Sequence, residues 1–152
     1  MTNGPVDNGP VDNGTIEIKR TFNCDKRTLF DTWSNPKLMA RWFFAGQDRL
    51  KDSTVVSSFT VGGRYELTMH LPSGEPHMHG TYTRINRYGA ISFTWNSPIA
   101  NESLVELTFK ELSPNRTEFT LKHSLFPSEA SRDQHANGWA GCIESLEIYM
   151  AA

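Results

Sequence analysis

Two polar side chains stand out because the strand period places them on apolar faces. Arg20 shares a face with Ile16, Ile18 and Phe22, and His123 shares one with Thr117, Phe119 and Leu121. A buried charge is costly unless it is paired and hydrogen-bonded. Either the fold itself supplies partners, an ion pair for Arg20 and a backbone hydrogen bond for His123, or the two orient the polar head of a ligand in an apolar pocket.

Other histidines suggest different chemistry. His77 and His79 stand at i and i+2 on one strand face, and His70 precedes them across the turn at Pro72-Ser73-Gly74. Three imidazoles could form a zinc set. However, His70 has the opposite parity to Tyr65, Leu67 and Met69 and is expected to face solvent. No carboxylate or cysteine stands at ligand spacing beside the three, so no metal is assigned.

Catalysis has no anchor in the sequence, which contains no nucleophile elbow, phosphate loop or metalloprotease pair. Proton transfer between His123 and Tyr65 or Tyr82 is the one arrangement the residue types suggest. Cys142 reads as a small apolar filler. The expectation is a binding protein rather than an enzyme, with no catalytic residue and no cofactor.

These residues are positioned by a strand at 15–22, two short helices, about six strands and one long final helix. Asp25 caps a helix bearing Leu29, Phe30 and Trp33, and Asn35-Pro36 starts a second with Leu38, Met39 and Trp42. From Ser53 the apolar period becomes two, through Val55, Ser57, Phe59 and Val61, then Tyr65 to Leu71. Further strands are expected at 77–86, 90–95, 102–110 and 116–125. From about Ser128 to Ala152, Trp139, Cys142, Ile143 and Leu146 form one helical stripe, with Glu144, Ser145 and Glu147 expected to face water. An antiparallel sheet followed by one amphipathic helix buries that stripe on the sheet.

A tandem Gly-Pro-Val-Asp-Asn occupies residues 4–13, and residues 1–14 are read as a disordered tail before a single domain at 15–152. The net charge of −2 gives no reason to expect nucleic acid. No apolar run is long enough to span a membrane and no secretory signal is visible. A cytoplasmic protein with reduced Cys24 and Cys142 is therefore expected.

The motifs Ile18-Lys19-Arg20-Thr21-Phe22, Leu29-Phe30-Asp31-Thr32-Trp33-Ser34-Asn35-Pro36 running on to Arg41-Trp42-Phe43, Val61-Gly62-Gly63, Ile91-Ser92-Phe93-Thr94-Trp95, and His123-Ser124-Leu125-Phe126 with Asn137-Gly138-Trp139 carry a resemblance. In this order they resemble the START-like (SRPBCC, helix-grip) superfamily, and within it the homologues of the activator of the heat-shock-protein ATPase. The resemblance implies an α+β helix-grip fold, in which a curved antiparallel sheet of six or seven strands wraps a long C-terminal helix. It also implies a cavity between the two for an apolar or aromatic, lipid- or polyketide-like ligand. Candidate cavity residues are Arg20, Trp33, Trp42, Phe43, Tyr65, Met69, Met78, Tyr82, Phe93, Trp95, Phe109, Phe119, His123, Trp139, Cys142, Ile143 and Leu146, with the 43–52 loop as lid. The alternatives implied are a stress-response co-chaperone domain that binds a chaperone, and a cyclase, aromatase-like or antibiotic-resistance protein. A monomer or weak dimer is expected.

Overall fold

The computed structural model describes residues 13–46 and 48–152; the first twelve residues, which hold most of the repeated pentapeptide, lie outside the described residues. The order of elements is β1 (Ile16–Phe22), α1 (Lys26–Ser34), α2 (Pro36–Trp42), β2 (Lys51–Ser57), β3 (Arg64–His70), β4 (His77–Asn86), β5 (Ala90–Ser97), β6 (Ala100–Ser113), β7 (Arg116–Ser124) and α3 (Glu129–Ala151). The strands form one antiparallel sheet in the order β1-β7-β6-β5-β4-β3-β2. This is the expected α+β helix-grip architecture. Among the described residues no helix is long and apolar enough to cross a membrane.

The local chemistry explains the boundaries. Asp25 accepts from the Thr28 amide at the start of α1, and Asn35 accepts from Lys37 N–H with Pro36 at the first position of α2. Ser128 caps α3 through the amide of Ser131. Gly80 is required by close packing, because a Cβ there would lie 1.9 Å from the Thr94 carbonyl oxygen.

Register puts Tyr65, Leu67, Met78, Tyr82, Phe93, Trp95, Val105, Leu107, Phe109, Phe119, Leu121 and His123 on one face, and all are buried. Trp33 of α1 stacks on Phe119 with centroids 5.3 Å apart and planes at 15°, tying the short helices to the sheet. Along α3 the buried residues are Ser131, His135, Trp139, Cys142, Ile143, Ser145 and Leu146.

Several local expectations need correction. The strand expected at 53–61 is β2, which starts at Lys51 and ends at Ser57, leaving Val61 exposed. Leu125 lies beyond β7, exposed and at a φ of 65°. Ser145 is buried; its hydroxyl donates to Gly141 O and accepts from Gly46 N–H at 2.8 Å, so a small polar residue tethers the loop after α2. Arg20 keeps the inner-face parity, opposite Phe119, but β1 is an edge strand. There a long side chain can reach water, and Arg20 is exposed with Nη1 donating to Lys19 O.

Candidate functional site

Between α3 and the sheet the packing divides into a closed and an open half. In the closed half Trp33, Trp42, Phe109, Phe119, Cys142, Ile143 and Leu146 are all at most 4% exposed. A gap of about 10 Å³ among Trp33, Met39, Phe43, Tyr65, Leu67, Tyr82, Phe93 and Trp95 is the opening they leave toward β3–β5. That is the volume of a single water at most. Trp33 Nε1 borders this region and, among the described residues, is the buried side-chain polar atom without a hydrogen-bond partner.

The open half lies under the N-terminal part of α3. A cleft of about 280 Å³ is bounded by Met69 of β3, Pro76 just before β4, Met78 of β4, Trp95 and Ser97 of β5, Pro98 and Ile99 after it, Phe44, and Gln134, His135, Gly138 and Trp139 on α3. Its wall is mostly apolar, and the two thioethers in it are able to reshape around a guest. Phe44 reaches it from a backbone with φ of 55°, packing edge-on against Phe43 with centroids 4.7 Å apart. The loop expected to form a lid is held at its root. Arg49 donates to the carbonyls of Ala40 at 3.1 Å, Arg41 at 2.6 Å and Phe43 at 3.2 Å, and Ser53 Oγ also donates to Phe43 O.

A hydrogen-bonded relay forms the floor of this half. Trp139 Nε1–H donates to His123 Nδ1 at 2.9 Å, which leaves the proton of neutral His123 on Nε2, 2.8 Å from Ser103 Oγ; Ser103 in turn donates to Trp95 O. Trp95 Nε1–H donates to His135 Nε2 at 3.2 Å, so His135 carries its proton on Nδ1 and donates to Ser131 O at 2.8 Å. The rings lie 5.1 Å apart. Each imidazole meets an indole donor with a bare nitrogen, so a second proton on either would set two N–H groups against each other. Burial, then the neighbouring His135, lowers the His123 pKa from 6.5 to about 3, and burial also lowers that of His135. Both are neutral at pH 7.

Of the residues expected around a cavity, Met69, Met78, Trp95 and Trp139 border the cleft. Trp33, Phe43, Tyr65, Tyr82 and Phe93 border the small gap. Trp42, Phe109, Phe119, Cys142, Ile143 and Leu146 are packed core, and burial pushes the Cys142 thiol up to about 12, consistent with filler. His123 is fully buried beneath Trp139; its partners are two side chains rather than backbone, and it does not border the cleft. Tyr65 and Tyr82 bond to Thr94 O and Ser57 Oγ, away from His123. Phe44 was expected only as part of the lid loop, and sequence reasoning missed the other wall residues, His135 and Ser97 with their polar atoms and Pro76, Pro98, Ile99, Gln134 and Gly138. A signal for His135 existed: it stands one helical turn before Trp139, and Ser131 one turn before that, so the stripe extends by i−4 and i−8.

The other histidines also depart from expectation. His70 is buried, between Thr54 Oγ1 at 2.7 Å and Glu75 Oε2 at 2.6 Å, and His77 Nε2 is 3.3 Å from Glu66 Oε1. Carboxylates therefore do stand beside them, Glu75 through the turn between β3 and β4 and Glu66 through the pairing of those strands. His77 and His79 stack at 5.6 Å. Among the described residues no group of three or more His, Cys, Asp or Glu is arranged to hold a metal ion. Cys24 and Cys142 are free thiols.

The profile of the family described as "Activator of Hsp90 ATPase homolog 1-like protein" matches residues 23–151. The chain belongs to this family. Solved structures agree on the fold. An AHSA1-like protein from Aeromonas hydrophila is 23% identical, with 91% of this chain and 92% of that one covered and a TM-score of 0.77. An HSP90 activator from Plasmodium falciparum is 21% identical, with 90% and 96% covered and a TM-score of 0.74. CalU16 from Micromonospora echinospora is 18% identical, with 90% and 75% covered and a TM-score of 0.69. A comparison with curated proteins yields no match. At these identities the neighbours speak for architecture, and activity must be argued from the site.

Proposed function

We propose that this member of the family is a small-molecule-binding protein that takes an apolar or aromatic ligand under the N-terminal half of α3. The observation that carries this reading is the cleft of about 280 Å³ walled by Phe44, Met69, Met78, Trp95 and Trp139. Ligand pockets are typically concave and apolar with a few polar groups that fix orientation, and Ser97 and His135 are such groups here. Burying a ring against the two indoles removes apolar surface from water at roughly 25 cal/mol per Å². Native mass spectrometry of the freshly purified protein tests this. A mass excess that disappears on denaturation supports it. Failure of compact aromatic probes to perturb the Trp95 and Trp139 indole N–H resonances would overturn it.

Family membership favours a second reading, a domain that binds a chaperone and stimulates its ATPase. Addition of the intact chain to a purified Hsp90-type ATPase separates the two: stimulation unaffected by blocking the cleft would favour the protein-binding role.

A further inference from the structure

The polar end of the cleft carries information about what the ligand must be. His135 Nε2 has one lone pair, yet two donors approach it, Trp95 Nε1–H at 3.2 Å and Ser97 Oγ at 3.1 Å. The indole N–H is fixed by its ring, whereas a hydroxyl hydrogen rotates to suit its surroundings. With Trp95 holding His135, the Ser97 hydroxyl is the donor left over. Its oxygen is already placed by the Ile99 amide at 3.2 Å. The site thus offers a guest one positioned O–H donor.

Formal charge provides the second constraint. None of the described residues bordering the cleft is Lys, Arg, Asp or Glu. The imidazole at its edge is neutral, and the Trp95 donor opposes its protonation. An ionised carboxylate or phosphate seated there would lose water and gain no counter-charge, which is strongly unfavourable. The volume of about 280 Å³ lies just below the usual range of about 300–1,000 Å³ for ligand pockets, which suits a compact ring system better than a long acyl chain.

Resting on the small-molecule reading above, we infer that the ligand is a neutral, compact aromatic compound bearing a carbonyl or ether oxygen that accepts from Ser97 Oγ, and that the site discriminates against carboxylates of the same shape. Three probes of similar outline test this with the full chain: 2-acetylnaphthalene, 2-naphthoate and naphthalene, titrated at pH 7 while the Trp95 and Trp139 indole N–H resonances are followed. The ketone is expected to bind at least about tenfold tighter than the carboxylate, a floor well below the cost of a fully buried unpaired charge because the cleft is open on one side. Ser97→Ala is expected to reduce ketone affinity to that of naphthalene while leaving naphthalene binding unchanged. Equal or tighter binding of 2-naphthoate would overturn the inference while leaving the cleft as a ligand site. A ketone preference that survives Ser97→Ala would overturn the role of Ser97. If none of the three shifts the indole signals, the small-molecule reading falls and the inference with it.

Discussion

The two halves of the helix–sheet interface are built on one sheet and one helix, yet one is solid and the other open. In the solid half the short helices insert Trp33 and Trp42 between α3 and the sheet, so Phe119 has an aromatic partner stacked at 5.3 Å. In the open half nothing plays that part. Phe44 reaches in from the loop after α2, and the indoles of Trp95 and Trp139 face a wall completed largely by Met69, Met78, Pro76, Pro98 and Gly138, which do not fill the space. A curved sheet gripping one helix leaves volume wherever a third layer does not reach, and here that layer ends at Phe44. The difference teaches that a candidate pocket is located by what fails to fill the space, not by the number of aromatic residues nearby.

The contrast can be broken from either side. Phe119→Ala removes a ring from the solid half and is expected to cost about 3–5 kcal/mol, read by urea denaturation. Acid should act on the relay in the open half. The folded pKa of His123, about 3, lies below the ordinary 6.5, so the unfolded chain takes up the proton first. Stability is full above pH 6.5 and is lost as the pH falls toward 3, by about 2 kcal/mol at pH 5 for one such imidazole. His135, lowered in the same direction, steepens that loss. Unfolding midpoints measured between pH 8 and pH 4 check the slope, and a flat profile would refute the neutral-imidazole relay.

Smaller effects sharpen the comparison. His123→Leu leaves the Trp139 N–H without its acceptor and is expected to cost about 1–3 kcal/mol at pH 7 while flattening the acid profile. Met69→Ala, at a partly exposed position on the cleft wall, should cost below about 1 kcal/mol, less than a fully buried truncation, and should widen the range of aromatic probes accepted. Arg20→Ala on the edge strand is expected to change stability by no more than about 0.5 kcal/mol. A large loss there, by thermal or chemical unfolding, would mean that Arg20 has a structural role the exposed position does not suggest.

Much of the fold was legible in the chain because it rests on local periods. Alternation specified the inner face from Tyr65 to His123, Asp25 and Asn35 marked the helix starts, and the 3.6-residue stripe through Trp139 and Leu146 identified the gripping helix. The site was legible only in part. Met69, Met78 and Trp95 follow from strand parity and Trp139 from the helical stripe, but the same patterns also nominated Phe109, Phe119 and Cys142, which sit in solid core. Parity misjudged Arg20 as well, because the pattern within a strand does not say whether that strand is an edge.

Sequence by itself determined which apolar side chains of the long strands and of α3 turn inward, since that depends on each residue's neighbours along the chain. Only the tertiary structure decided where those side chains leave space, and that Trp95 meets His135 across 40 residues of sequence and Trp139 meets His123 across 16. Those meetings depend on strand order, on the angle at which α3 crosses the sheet and on the summed volumes of side chains from several elements. No local period encodes such a sum, so the open cleft and its neutral relay emerge only when the layers are packed together.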